Sequence, residues 1–230
     1  MHTPNKFDHD AHARSKSDTD FWGQIRRTVN GQPVGDDQIE MIVHRIERQL
    51  ELVPGDTLLD LACGNGALAS RFFDSLAGYL GVDFSPRLIN VAQKFFAQPP
   101  RVAFCINGAA EHVQEEAQPE RYTKVLCYGS FSYFSAEDAR RVLHRLATRF
   151  PKVSHVFIGN LPDRDRATCF YTPDRINPAE LDDHESPIGI WRSAEAFIEL
   201  ASVLGWKARV SNMPQGYYAA HYRYDILLTR

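Results

Sequence analysis

The stretch LLDLACGNGALASRF, residues 58–72, is the part of the chain that decides the fold. An apolar run carries Asp60 near its end, and a turn of small residues over 62–66 leads into a short predicted helix over 67–74. Small residues let a ligand approach the backbone, and a helix N-terminus offers free N–H groups and a positive dipole end. The stretch therefore predicts a strand, a ligand-binding turn and a helix.

The same alternation continues along the chain in both directions. Apolar runs predict strands over 57–61, 79–83, 101–106, 123–127, 153–158, 206–211 and 222–228. Between and before them, apolar periodicity and capping residues predict helices over 21–29, 36–51, 85–97, 135–150 and 193–204. Alternating strands and helices predict an α/β fold, a doubly wound sheet with helices on both faces. Ligands of such sheets bind at the carboxyl ends of the strands, so the chemistry is expected there.

A second acidic residue, Asp83, ends the second predicted strand. A carboxylate at this position can accept both hydroxyls of a ribose. Two ligand classes fit the turn and this carboxylate. One is a dinucleotide, because Gly64, Gly66 and Ala69 satisfy the pattern G-x-G-x-x-G/A. The other is S-adenosylmethionine, which Asp60 favours: its charge would repel a pyrophosphate and attract the ammonium of the methionine moiety.

These motifs resemble those of the class I S-adenosylmethionine-dependent methyltransferases, over roughly residues 40–160. Residues 60–66 resemble the first motif, with Ala62 in place of the commonest glycine, and residues 80–93 resemble the second. Residues 107–112 resemble the loop after the third strand, where Ala109 replaces the usual Asp, so backbone groups are expected to bind the adenine. Residues 125–134 resemble the fourth motif.

The resemblance implies methyl transfer, a Rossmann-like, mostly parallel sheet of seven strands in the order 3-2-1-4-5-7-6, and an antiparallel C-terminal strand. It also implies the cofactor-binding residues: Asp60, Ala62, Gly64, Gly66, Asp83, Phe84, Gly108, Ala109, Ala110 and Tyr128. Among these, Asp83 would hold the ribose and Phe84 would line the adenine.

An insertion over 160–192 is the expected lid of the acceptor site, because a long segment without periodicity usually covers a binding site. Methyl transfer is an in-line displacement, for which positioning does much of the work, and a hydroxyl or amine acceptor also needs a general base. The candidate catalytic residues are His184, His221 and Asp163. His184 is favoured because its acidic neighbours would stabilise an imidazolium.

The 230-residue chain is expected to form one methyltransferase domain over 20–230, after a polar tail over 1–19 that is expected to be disordered or flexible. The helix that begins at Phe21 and Trp22 is expected to fold over the cofactor pocket. The expected partner is a small-molecule acceptor, a natural-product intermediate or a sugar, with oxygen, nitrogen and carbon all open. Oligomeric state is open, with a homodimer as one option.

Composition excludes several classes of function. The net charge of −3 gives no basic excess for nucleic acid or an anionic membrane, and no apolar run reaches the length of a membrane span. The four cysteines have no metal-site spacing and are interpreted as reduced thiols of a cytoplasmic protein; no metal is expected. Two alternatives stay open: an NAD(P)-dependent oxidoreductase, which leaves Asp60 unexplained, and a non-catalytic S-adenosylmethionine-binding module, which leaves the aromatic lid without a role.

Overall fold

A seven-stranded sheet organises the computed structural model, which describes residues 7–230. The strands are β1 (Thr57–Leu61), β2 (Gly78–Asp83), β3 (Val102–Ile106), β4 (Lys124–Tyr128), β5 (His155–Pro162), β6 (Lys207–Asn212) and β7 (Arg223–Thr229). Their order is β3-β2-β1-β4-β5-β7-β6. Strands β1 to β5 pair in parallel, whereas β7 is antiparallel to both of its neighbours. The predicted fold class and strand order are confirmed.

The helices are α1 (His9–Arg14), α2 (Phe21–Gln24), α3 (Asp36–Leu50), α4 (Pro86–Phe96), α5 (Ala109–Glu115), α6 (Ala136–Arg149), α7 (Pro178–Leu181) and α8 (Ala194–Val203). Serine hydroxyls cap α4, α6 and α8: the N–H of Leu88 donates to Ser85 Oγ at 3.1 Å, that of Asp138 to Ser135 Oγ at 3.0 Å, and that of Ala196 to Ser193 Oγ at 3.2 Å. The caps of α4 and α6 are those that the sequence predicts, since a serine oxygen satisfies an otherwise unpaired N–H of the first turn.

Both faces of the sheet are covered, as a doubly wound fold requires. Successive residues of a strand point to opposite faces, so Leu58 packs with α3 and α4 while Leu59 packs with α5, α6 and α8. Two apolar cores result, one on each face. Neither core covers the carboxyl ends of the parallel strands.

Several predicted elements differ from the structure. The helix expected over 21–29 ends at Gln24, and Thr28–Val29 pairs with Gln32–Pro33 in a small hairpin. Asn30 and Gly31 both take positive φ angles, 50° and 76°, which is the backbone of a tight hairpin turn. The helix expected over 67–74 is a 3₁₀-helix, Ala69–Ser75, and α5 has no predicted counterpart.

Helix α1 lies within the segment that is expected to be disordered or flexible. Asp8 caps this helix by accepting the N–H of Ala11 at 2.9 Å, and Asp10 accepts the N–H of Arg87 at 3.1 Å and the hydroxyl of Ser85. Directed hydrogen bonds, together with the burial of Ala13, hold this polar segment. Residues 1–6 of the expected tail lie outside the described residues.

The segment over 160–192 contains the end of β5, two short 3₁₀-helices (Arg164–Cys169 and Pro173–Arg175) and α7. It returns to the body of the protein at Trp191, which is 1% exposed. Within residues 7–230, no helix combines the length and the hydropathy needed to cross a bilayer.

Candidate active site

A cavity of about 520 Å³ opens at the carboxyl ends of β1, β2, β4 and β5. This is the edge at which ligands of doubly wound sheets bind. Of the residues that the sequence assigns to the cofactor, the following line it: Asp60, Ala62, Gly64, Asp83, Phe84, Gly108, Ala109, Ala110 and Tyr128. Gly66 does not line the cavity. The structure thus brings almost the whole expected set to one place.

The glycine turn after β1 is shaped by close contacts on both sides. Gly64 and Gly66 have φ angles of 62° and 75°, a left-handed backbone that favours glycine. A Cβ on Gly64 would lie 3.0 Å from Ile25 Cγ2, and a Cβ on Gly66 would lie 2.7 Å from the ring of Phe104. Gly66 is therefore required for packing behind the turn, whereas Gly64 forms part of the cavity wall.

Asp83 is held in place by the turn that it faces. The N–H of Gly64 donates to one carboxylate oxygen and the N–H of Ser85 to the other, each at 2.9 Å. Each oxygen keeps a lone pair for a further donor. Burial raises the pKa of Asp83 to about 6, although both N–H bonds oppose this rise. The carboxylate is pre-positioned to accept two hydroxyl groups.

Asp60 is the second buried carboxylate of the cavity, and the Tyr79 hydroxyl donates to it at 2.9 Å. Burial raises the pKa of Asp60 to about 7, the negative charge of Asp83 adds to this rise, and the Tyr79 hydrogen bond and Arg27 oppose it. A cationic ligand in this part of the cavity would favour the ionised form.

Arg27 faces the same part of the cavity, and sequence reasoning missed it. Its side chain is buried, with the guanidinium carbon 5.1 Å from the centroid of the Tyr128 ring. Within the described residues, Nε and Nη1 have no hydrogen-bond partner. A buried charge without a partner is costly, so this arginine points to an anionic ligand group. No local pattern marks it in the sequence.

The opposite end of the cavity is aromatic, with Tyr133, Phe170, Tyr218 and Tyr222 in its lining. Arg223, at the start of β7, lines it as well, and its Nη1 donates to the carbonyl of Asn160. Sequence reasoning missed Arg223, because a lone arginine before an apolar run does not indicate which residues pack around it. His9 also lines this end; burial, with Arg26 next, lowers its pKa to about 4, so its imidazole is neutral at pH 7.

None of the three candidate general bases lines the cavity. Asp163 accepts the N–H of Asp165 at 3.1 Å and lies 3.3 Å from Nε of Arg166. His221 is exposed, with its ring centroid 4.8 Å from that of Tyr222, and His184 is half-buried in the segment after α7. The structure therefore does not bring these residues to the cofactor-binding set. Among residues 7–230, no group of three His, Cys, Asp or Glu side chains could hold a metal ion.

Residues 58–150 match the family model described as a methyltransferase domain. This part of the chain is similar to methyltransferase domains. The match spans β1 to α6, which includes the glycine turn and Asp83. It confirms the enzyme class that the resemblance implies, a methyltransferase.

Solved structures share the fold of this methyltransferase domain. A chain of the complex that contains the Trm112 methyltransferase activator of Haloferax volcanii is 14% identical, with a TM-score of 0.68 over 96% of this chain and 97% of that one. Magnesium protoporphyrin IX methyltransferase from Synechocystis PCC 6803, with bound SAH, is 16% identical, with a TM-score of 0.60 over 84% and 82%. The DhpI-SAM-HEP complex is 14% identical, with a TM-score of 0.63 over 96% and 94%. No curated protein sequence matches the chain significantly.

Proposed function

We propose that this methyltransferase transfers the methyl group of S-adenosylmethionine to a small-molecule acceptor bound at the aromatic end of the cavity. The observation that carries the proposal is the division of one cavity into two ends of different chemistry. Two carboxylates and Arg27 line one end, and aromatic side chains line the other. A donor and an acceptor could occupy these ends together, which favours catalysis over a non-catalytic binding module.

The residues at the first end fit the parts of the cofactor one by one. The orphaned Nε and Nη1 of Arg27 suit the carboxylate of the methionine moiety, and Asp60 suits its ammonium group. Asp83 suits the ribose hydroxyls. Phe84, 56% exposed along the cavity wall, offers an apolar face for the adenine, and the backbone of Ala109 and Ala110 lies in the same wall.

When bound, S-adenosylmethionine supplies an electrophilic methyl group on a positively charged sulfur, which an acceptor lone pair displaces in line. The chain itself contributes positioning and water exclusion. The aromatic side chains orient the acceptor, and the segment over 160–192, which we propose as the acceptor lid, contributes Phe170, Pro187 and Ile188 to the wall. Proton removal by His184, His221 or Asp163 is not part of this proposal, because those side chains lie outside the lining.

A thermal-shift panel with S-adenosylmethionine, S-adenosylhomocysteine, NAD and NADP tests the cofactor assignment. A ligand at 100 times its dissociation constant adds about 2.7 kcal/mol of stability, which is an easily measured shift. We expect stabilisation by the two adenosyl-sulfur ligands alone. Asp83→Ala should abolish it, and Asp74→Ala, at a fully exposed carboxylate, should preserve it. Stabilisation by a dinucleotide alone would replace this proposal with an oxidoreductase.

A further inference from the structure

We propose that the acceptor carries an anionic group, a carboxylate or a phosphate, and that Arg223 binds this group. The inference deepens the proposed function and rests on it. It starts from the position of Arg223, which lies at the start of β7, lines the aromatic end of the cavity and is 8% exposed.

Arg223 is a buried cation with which no carboxylate in the described part of the chain forms an ion pair. Among residues 7–230, no Asp or Glu oxygen lies within 4.0 Å of its guanidinium nitrogens, which is the range of an ion pair. The acidic residues along the same strands already have cationic partners: Asp225 lies 3.0 Å from Arg45 and Asp163 lies 3.3 Å from Arg166. A buried charge that the protein does not pair is costly, so a ligand that pairs it gains affinity.

The guanidinium is nevertheless held in a defined orientation. Its Nη1 donates to the carbonyl of Asn160, and its carbon lies 4.8 Å from the centroid of the Tyr222 ring. Asn160 has a φ angle of 63°, a conformation that is uncommon outside glycine. A guanidinium has five N–H donors in a planar fork that matches carboxylate and phosphate oxygens. One carbonyl bond leaves most of that fork for a ligand.

The other arginines of the cavity are already accounted for. Arg27 lies beside Tyr128 and Asp60, at the cofactor end, where the carboxylate of the methionine moiety is the fitting partner. Arg26 donates to the carbonyl of Pro187 at 3.0 Å and lies over the ring of Phe7 at 4.1 Å, and because it is only half-buried, water can solvate its charge. Arg223 is therefore the cation of the acceptor end that a ligand can use.

The aromatic side chains around Arg223 indicate which kind of molecule carries the anionic group. The rings of Phe170 and Tyr222 lie 4.7 Å apart, and Tyr133 completes the same wall. Flat apolar surfaces of this kind favour planar ligands, because stacked rings gain contact area at little cost in conformational entropy. The acceptor class that fits is a small planar acid, whose anionic group faces Arg223.

Paired ligands that differ in charge but not in shape test this inference. The protein is saturated with S-adenosylhomocysteine, so that its carboxylate occupies Arg27, and the affinities of benzoate and benzamide are measured by calorimetry. Phenyl phosphate, measured beside them, distinguishes a phosphate from a carboxylate acceptor. We expect at least one anion to bind about 10-fold more tightly than benzamide, as a charge-assisted hydrogen bond gives.

Two variants and a control assign that preference to Arg223. Arg223→Gln should remove the preference for the anion, and Arg223→Lys, which keeps the charge but loses the fork, should retain part of it. Arg140→Gln, at an exposed position of α6 outside the cavity, should leave it unchanged. If Arg223→Gln no longer binds S-adenosylhomocysteine, the role of Arg223 is tested by comparing the anion preference of Arg223→Lys with that of the parent protein.

Equal affinity for the charged and neutral ligands, or no binding of either anion, would overturn the inference while leaving the cofactor assignment intact. An anion preference that survives Arg223→Gln would overturn the role of Arg223. Failure of S-adenosylhomocysteine to bind the parent protein is a different result, since it would contradict the proposed function itself.

Discussion

At the scale of single residues, the two buried carboxylates set the pH range in which the cofactor end can attract a cation. Asp60 has a pKa of about 7 and Asp83 one of about 6, chiefly because both are buried. Below these values the side chains are mostly neutral, and they attract an ammonium group weakly. Above them, the ionised forms prevail. Affinity for a cationic ligand should therefore rise with pH and level off above about 7.

The variant Asp60→Asn tests this dependence. In the parent protein, the affinity for S-adenosylhomocysteine should increase between pH 5.5 and 8, because binding of its ammonium favours the ionised carboxylate. Asp60→Asn should weaken binding at pH 8 by about 10-fold. The variant should keep only the smaller rise of affinity with pH that the ionisation of Asp83 causes. Calorimetry across this range measures both effects. A pH profile identical to that of the parent protein would remove Asp60 from the ammonium site.

The site residues that could be predicted are those with a local pattern. Asp60 and Asp83 end apolar runs, and the glycine turn lies directly after one of them, so sequence position alone indicates a shared edge. Arg27 and Arg223 have no such pattern, because their role depends on which residues pack around them. Their burial without a counter-charge among the described residues is a property of the folded chain. His9 likewise lines the cavity from α1, which is anchored on α4.

At the scale of elements, Asn65 joins α2 to the glycine turn. It is fully buried, and its Nδ2 donates to the carbonyl of Phe21 and to Oε1 of Gln24, both at 2.8 Å. Through these bonds α2 is fixed so that Gln24 and Ile25 line the cavity. The expectation that the N-terminal helix folds over the pocket is met at these residues, one turn beyond Phe21 and Trp22.

Asn65→Ala should lower the free energy of unfolding by about 1–3 kcal/mol, because it leaves buried hydrogen-bonding groups without a partner. It should also weaken the binding of S-adenosylhomocysteine, since α2 loses its anchor on the turn. Urea denaturation and calorimetry measure the two effects. The matched change Asn90→Ala, at an exposed position of α4, should alter stability by no more than about 0.5 kcal/mol. An Asn65→Ala protein as stable as this control would contradict the anchoring role.

The elements that could be predicted are those whose ends carry their own signals. Serine caps mark the starts of α4 and α6, and apolar periodicity marks α3. The prediction of a helix over 21–29 was wrong, because the tight turn at Asn30-Gly31 favours a hairpin over the helix that the spacing of Phe21, Ile25 and Val29 indicates. Helix α5 has seven residues, too few for a periodic pattern to stand out.

At the scale of the whole molecule, the segment over 160–192 is packed into the core of one sheet face. Trp191 is buried there, its ring centroid 5.6 Å from that of Tyr171 and 5.7 Å from that of Tyr222. Its backbone N–H donates to the carbonyl of Leu181 at 2.8 Å. The acceptor wall therefore depends on the same core as α3 and α4.

Trp191→Ala should accordingly lower the free energy of unfolding by about 3–5 kcal/mol, in one cooperative transition. Val203→Ala, at a side chain that is 68% exposed, should change it by no more than about 0.5 kcal/mol. Denaturation followed by both fluorescence and circular dichroism measures the effect. A loss below about 1 kcal/mol, or an early separate transition, would show that the segment folds independently of the body.

The topology of the sheet could be predicted because alternating strands and helices leave few arrangements open, and the family resemblance selects one of them. The sequence could place the cavity at the carboxyl edge of the sheet, but it could not indicate which segments form the walls of the cavity. Those walls combine α1, α2, the segment over 160–192 and the start of β7, which are far apart in the chain. Their meeting depends on tertiary packing, which no local pattern encodes.

The position of β7 between β5 and β6 means that the order of synthesis and the order of assembly differ. Residues 207–212 leave the ribosome before residues 223–229, yet β6 pairs with no strand but β7 in the described part of the sheet. Strand β6 must wait for β7 to insert. Because Arg223 is the first residue of β7, every residue assigned to the cofactor end leaves the ribosome before Arg223 does.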